Sequence, residues 1–599
     1  MVLHHPPPIP IHEFLDAFLP AVNGQHAPRV DFSAVPQDDV VAMAMGEPFA
    51  AAVSQADCCP SFVIEVISKD PAKLPCPVRN YGIFSTAISD LETADIIRRV
   101  ALVDVHVNFE CQSAYDARKS EDEQGTRRED TQAVNTTDRR PKMSYINGFM
   151  TLQHRTHGFS IFIVGRRAHI ARWHHTGHVV STSFDYHSGA SNWLGEFLFR
   201  YEHATPAVRG YDSTIQRAPD ADRDTLVQAA HYYKMRSGCD GSQLGLDRTI
   251  YGSDAAYIVR LRGNEEDDRA RAYVVRGPFT GSRNRDARGF LAWGLLEQEL
   301  VCLKDTWHAK VSGALSEAEV YDTLKSCGVR FLPDIVAGDV VCDPDGNRQY
   351  TKTQEYFGRQ YEGPRPHDLP QERVHRRSVQ RLTLPLQNSK QLIIAIRDVV
   401  RAALCASESQ DLSHRDIDTS NKTPAVDLGG LPDNADHIIA PSLNRPSPTY
   451  KMGIWQSLPI LTVGGWTSSE AHSIIADAES CFWVFYEVAA RGFEHLCGYL
   501  NLVIFREGEG RLKPKGFYVW MATERTRHPT YAIARVLFAF GLMLSRYDGT
   551  ARGIGYYTRK LEIGGLIRQD RLDEPTERFP SVMSMLAMFD EALAGGDWP

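Results

Sequence analysis

Phe159-Ser160-Ile161-Phe162-Ile163-Val164 alternates side chains at the two-residue period of a strand. Residues 145–215 keep that character before turning helical toward Trp193–Tyr201. Glu299-Leu300-Val301-Cys302-Leu303-Lys304 is a short apolar run closing on a lysine, as a buried strand would present it. Beyond it, Ser316–Leu324 predicts a helix with Val320, Tyr321 and Leu324 on its apolar face and Ser316 as its cap. Gln354–Arg373 is polar and proline-containing, which predicts a loop. Gln387–Leu404 sets Leu392, Ile393, Ile396, Val399 and Val400 on one helical face. Residues 405–590 are mainly helical in pattern, with a polar helix start at Ala476–Ser480 leading into apolar Cys481–Tyr486. Asp116 to Arg140 is charged and poor in large apolar groups, which predicts a disordered insert. A strand-rich half followed by a helical half is an α+β pattern, and no internal repeat interrupts it.

Composition sets limits on this picture. A chain of 599 residues with 43% hydrophobic content can bury two or more cores. A net charge of −9 argues against a nucleic-acid partner, and the pairs Arg166-Arg167 and Arg376-Arg377 read as solvated surface. Eleven cysteines without a C-x-x-C spacing, Cys58 and Cys59 being adjacent, predict reduced thiols. The stretch Met1–Pro8 has no charged-then-apolar signal pattern, and the longest apolar run, Val536–Leu544, is too short to span a bilayer. The expectation is a protein of the cytoplasm or nucleus with no membrane partner. The histidines of Trp173-His174-His175-Thr176-Gly177-His178 lack cysteine or acidic partners at ligand spacing, so a metal site is not expected there.

The chemistry concentrates in His414-Arg415-Asp416, with Asn421 five residues after the aspartate. This is the catalytic-loop spacing of eukaryotic-type protein kinases. Asp416 would accept the proton of an attacking hydroxyl, Asn421 would reach a Mg²⁺, and Arg415 would neutralise a phosphorylated activation segment. Lys304 lies upstream in the place of the lysine that holds the α- and β-phosphates of ATP. Glu317 takes the place of its glutamate partner, with Glu319 one register away. Taken alone, a surface lysine would fit Lys304; the ordered set favours the phosphate role. Gly281 and Gly289 bracket a loop with two glycines where kinases usually carry three.

The chain resembles the fungal-type protein kinases, a divergent family of filamentous fungi, from about residue 145 to 500. His157-Gly158-Phe159-Ser160 with Arg172-Trp173, Arg200-Tyr201, Arg209-Gly210-Tyr211-Asp212-Ser213-Thr214, Leu303-Lys304-Asp305-Thr306-Trp307, Gly453-Ile454-Trp455-Gln456 and Asp477-Ala478-Glu479-Ser480 carry the resemblance. It implies a bilobal kinase domain, a β-rich N-lobe to about 385 and a helical C-lobe after it. It also implies ATP with Mg²⁺ as cofactors and transfer of the γ-phosphate to Ser or Thr of a protein substrate. Asp477 would brace the catalytic loop.

Two departures bear on activity. Asp427-Leu428-Gly429 is one candidate for the Mg²⁺-binding segment, but only five residues separate it from Asn421, too few for the usual hairpin. Aligning His437–Leu443 instead puts Ala440 where the aspartate belongs, with Asp433 and Asp436 nearby. Lys422-Thr423-Pro424 also stands where an apolar strand is usual. The expected organisation is an N-terminal extension over 1–144, a kinase domain over 145–500 and a helical remainder over 501–599. The expected activity is that of a protein serine/threonine kinase, and the alternative is a pseudokinase scaffold.

Overall fold

The computed structural model describes residues 8–37, 43–67, 80–88, 99, 102–110, 150, 153–174, 177–189, 191–237, 255–261, 271–278, 287–309, 335–343, 345–357, 372–381, 390, 393–394, 396–397, 401 and 582–595. These residues form two sheets of seven strands each, with helices set against them, an α+β arrangement.

The first sheet runs β1 (Phe62–Val66), β2 (Asn80–Ser85), β3 (Val105–Glu110), β4 (His157–Val164), β5 (Arg167–His174) and β6 (Gly177–Val180), with β7 (Phe184–Asp185) also on β5. All pairs are antiparallel except β3 with β4, which run parallel from Val105↔Phe159 to Glu110↔Val164. A parallel pair needs a long crossover connection, and the chain between residues 110 and 157 provides it. Strand β4 is buried on both faces. Phe159, Ile161 and Ile163 enter one apolar cluster, while Phe162 joins another with Trp173 and Phe84. Ser160 is buried too, and its hydroxyl accepts the indole N–H of Trp173 at 3.0 Å. Alternation therefore marked the strand correctly, but its polar position is an internal hydrogen bond and not a wet face.

Helices α1 (Ile11–Phe18), α2 (Met43–Ala56) and α3 (Trp193–His203) supply Phe14, Phe49, Phe197 and Tyr201 to the first of these clusters. A boundary at 144/145 thus cuts through one sheet and one core. The predicted extension, through β1 to β3, folds together with β4 to β7. The insert at 116–140 lies outside the described residues.

The second sheet runs β13 (Ile335–Val340), β14 (Arg373–Arg381), β12 (Leu300–Ala309), β11 (Ala287–Gly294), β10 (Arg271–Pro278), β9 (Tyr257–Leu261) and β8 (Ile215–Arg217), antiparallel throughout. One face gathers Val259, Tyr273, Phe290, Leu303 and Val379. The other gathers Ile258, Val274, Trp293 and Leu300 with Leu226 of α4 (Asp220–Ser237). The predicted loop at Gln354–Arg373 opens instead with a single helical turn, α5 (Gln354–Phe357), whose Tyr356 ring packs 5.2 Å from Phe18. Within Gln387–Leu404 the described residues are helical, with Ile393 and Ile396 buried. Arg397 there reaches Asp590 of α6 (Val582–Ala594) at 3.0 Å. The predicted helices at Ser316–Leu324 and Ala476–Tyr486 lie outside the described residues.

The histidine-rich stretch is the β5–β6 hairpin, where His174 faces Gly177 and the Trp173 ring meets His178 at 4.5 Å. Among the described residues no group of His, Cys, Asp or Glu is arranged to hold a metal. No described helix is long and apolar enough to cross a membrane.

Three buried histidines make the fold sensitive to acid. Burial and the Arg155 charge lower His106 to about 3. Burial and the Arg288 charge, against opposing pulls from Asp305 and Asp212, lower His154 to about 3. Burial and the Arg172 charge hold His157 well below its ordinary value. Each stays neutral in the folded chain while the unfolded chain takes up a proton below about pH 6.5. Stability therefore falls as pH drops through that value, by up to roughly 1.4 kcal/mol per pH unit for each histidine. Urea unfolding between pH 7.5 and 4.5, above the carboxylate range, should show a steadily falling midpoint; a flat midpoint would contradict this account.

Candidate functional site

Strands β10 and β11 form a hairpin, and Gly289 lies three residues into β11. The next strand, β12, carries Lys304 at its centre. Cross-strand register sets Lys304 opposite Gly289 on one side and Ser378 of β14 on the other. Val301 and Leu303 pack with Phe290 and Val379, so strand alternation turns Cys302, Lys304 and Thr306 to the opposite face. Lys304 is buried, 8% exposed, and is not a surface lysine. Its immediate cross-strand neighbours on that face are small.

Asp305, one residue on, points to the other face and is 2% exposed. It accepts hydrogen bonds from Arg288 Nη2 at 3.0 Å, Arg377 Nε at 3.2 Å and His375 Nε2 at 2.6 Å. The His375 ring stacks flat on Trp307 at 4.5 Å, and its other nitrogen meets Gln349 Oε1 at 2.8 Å. Burial alone would raise the Asp305 carboxyl, but the Arg288, His375 and Arg377 charges hold it well below its ordinary value.

Arg377 also donates through Nη2 to Asp212 at 2.5 Å and through Nη1 to the Thr214 hydroxyl at 2.6 Å. Asp212 accepts further bonds from the Thr214 backbone at 2.9 Å and Gln349 Nε2 at 3.2 Å. Burial opposes its ionisation, yet Arg377, His375 and Thr214 bring it down to about 2. The stretches around Asp212 and Asp305, distant in sequence, therefore share one guanidinium.

Several residues of the other described stretches are likewise paired inside the fold. Arg155 donates to Asp104 at 2.8 Å and lies 3.9 Å over the Tyr211 ring, while Tyr201 donates to the same carboxylate at 3.0 Å. His157 Nε2 donates to the Val208 carbonyl at 2.9 Å. Gly210 adopts φ +104, and a Cβ there would collide with the His157 carbonyl, so this turn takes glycine.

Sequence patterns missed Arg288, His375 and Arg377 as members of one cluster. Arg376-Arg377 does not form a solvated pair: Arg377 is 2% exposed because the strand period turns it inward beside two carboxylates. Arg166-Arg167 does reach solvent, with Arg166 3.2 Å from Asp185 and Arg167 on Ser183. A basic residue two positions from His375 on one strand, with an Asp at the centre of an apolar strand, was the available signal. Of the predicted site residues, the structure brings together Lys304 and Gly289. Gly281, Glu317, Arg415, Asp416, Asn421 and Asp427 lie outside the described residues, as do Glu319, Asp433, Asp436, Ala440 and Asp477.

Removing the shared cation should be severe. Arg377→Met leaves two buried carboxylates without their common partner and should cost about 3–5 kcal/mol of stability. Arg381→Met, four residues away, removes an exposed pair with Glu299 and should cost under about 1 kcal/mol. Chemical denaturation of both variants checks this, and equal losses would contradict it.

No family model matches the chain, and no curated protein does. Among solved structures, similarity is found to the ROP18 kinase domain in complex with AMP-PNP and sucrose, at 10% identity over 64% of this chain and 98% of that one, with a TM-score of 0.27. It is also found to ROP2 from Toxoplasma gondii, a virulence factor with a protein-kinase fold and no enzymatic activity, at 11% identity over 57% of this chain and 98% of that one, with a TM-score of 0.27. At such scores neither likeness carries weight for fold or activity.

Proposed function

We propose that the chain is a protein serine/threonine kinase that transfers the γ-phosphate of ATP to a protein hydroxyl, working in the cytoplasm or nucleus on a kinase-like bilobal fold. The observation that carries this reading is the setting of Lys304. Counting from the hairpin whose connection holds Gly281, β12 is the third strand, and the phosphate-binding lysine of a protein kinase stands on the third strand. Its cross-strand neighbour Gly289 closes the same glycine-bracketed connection. Glu317 follows between β12 and β13, in the order that the lysine's glutamate partner requires.

Each residue then has a distinct task. Lys304, buried and therefore poorly screened, would hold the α- and β-phosphates, with Glu317 positioning its ammonium. Backbone N–H groups between Gly281 and Gly289 would cradle the phosphates. Asp416 would take the proton of the acceptor hydroxyl, and Arg415 would neutralise the activation segment. Mg²⁺ favours oxygen ligands, and Asn421 with Asp427 is a donor set of that kind. When bound, the metal would neutralise charge on the β- and γ-phosphates.

The pseudokinase reading draws on a different observation. If Ala440 occupies the metal position, one protein oxygen from Asn421 is left to hold Mg²⁺, and ATP binding would depend little on the metal.

Phosphate transfer from labelled ATP by the full chain, to itself or to casein, separates these readings. Asp416→Asn should lower the rate by about 10²-fold or more while leaving ATP affinity nearly unchanged, because the aspartate acts on the hydroxyl and not on the nucleotide. Equal rates for wild type and Asp416→Asn would contradict the assignment. ATP binding without any transfer by the wild type would favour the pseudokinase.

A further inference from the structure

His154 stands in the turn that leads into β4 of the first sheet, but its ring packs on the second. It meets the Tyr257 ring of β9 edge-on at 4.7 Å and stacks on Phe290 of β11 at 5.6 Å. Its carbonyl accepts the Asp212 N–H at 3.2 Å, and two residues on the Thr156 N–H bonds the Gly210 carbonyl at 2.8 Å. Ring and backbone together fasten this lead-in to the turn at Gly210–Asp212 and to the sheet beyond it.

The fastening suits a neutral ring only. His154 is 4% exposed, and its Nδ1 has no hydrogen-bond partner. An imidazolium must donate from both nitrogens and give up its water, which this slot between two aromatic rings does not repay. The titratable and charged groups facing it are Tyr257 of β9, Arg288 of β11, Asp305 of β12, Arg377 of β14 and Asp212 of the turn. Both carboxylates are already engaged by the two guanidiniums and His375, so they offer a new cation little. On its own segment Arg155 is bound to Asp104. Burial first, and the Arg288 charge second, keep the ring neutral. The backbone also stores strain, because φ at His154 is +51, a left-handed conformation uncommon outside glycine.

We infer that His154 is an acid-released latch between the two sheets: on taking up a proton its ring leaves the slot between Tyr257 and Phe290, and the junction at Asp212 opens while the sheets stay folded. Release also lets the left-handed turn relax. The sign follows from the two protonation states. A solvated histidine titrates near 6.5, whereas His154 in its slot titrates at about 3, so the open form binds the extra proton. The open population should therefore grow as pH falls below about 6.5, roughly 30-fold by pH 5.

Amide hydrogen exchange of the full chain, corrected for the intrinsic rate at each pH, tests this. Between pH 7.5 and 5.0, protection of the Asp212 amide should fall roughly 30-fold. Amides at the centre of β4, which need the sheet itself to unfold, should stay better protected than Asp212 at both values. In His154→Phe, which keeps a ring and cannot take a proton, the fall at Asp212 should be under about threefold. A fall in His154→Phe equal to that of wild type would overturn the inference and pass the acid response to His157, which abuts the same turn. Equal protection at Asp212 and in β4 would overturn it too, because the junction would then open only by global unfolding. Should His154→Phe not fold, His154→Asn replaces it, since asparagine accepts the left-handed φ. Wild type alone also decides against the latch if its Asp212 protection falls less than about threefold.

Discussion

The guanidinium of Arg377 spans two buried carboxylates, Asp305 of β12 and Asp212 ahead of β8, and the second sheet is organised around that bridge. Ions taken out of water must be matched in number and geometry, or the desolvation penalty exceeds the attraction. Here two aspartates face Arg377 and Arg288, with His375 and Thr214 satisfying further lone pairs. Strand alternation makes this demand a register lock. Slipping β12 by one residue would turn Asp305 away from its partners and drive Lys304 among Leu303's apolar neighbours. The same bridge ties the sheet to the turn at Gly210, which abuts the start of β4 in the first sheet.

Lys304 and Asp305 thus divide two kinds of work between adjacent residues. The carboxylate is consumed by structure on one face. Lys304 stands on the other, across from Gly289 and Ser378. The sequence motifs flanking this face, from Arg155 through Thr214, make buried hydrogen bonds and ion pairs within the fold. They hold the scaffold on which Lys304 sits.

Local pattern was enough to find β4, β12 and α3, because each buries a short apolar segment whose period is intact. It failed where partners are far apart along the chain. The parallel pairing of β3 with β4 joins segments on either side of a long polar stretch, so a boundary was expected inside what is one sheet. Arg377 was expected in solvent because arginine is rarely buried without a partner, and its partners at residues 212 and 305 are invisible to any local window. Lys304 stood out because an apolar run that closes on a lysine is uncommon. The acid–base and metal residues, Asp416, Asn421 and Asp427, remain assigned from motif spacing.

The central claim is that the Lys304 face of the second sheet binds ATP. A crystal structure of the full chain with a non-hydrolysable ATP analogue and Mg²⁺ tests it most directly. The account predicts the α- and β-phosphates within about 3–4 Å of Lys304 Nζ, on the face opposite Asp305. Phosphates bound elsewhere, or a nucleotide on the Asp305 face with the Arg288–Arg377 cluster opened around it, would contradict it.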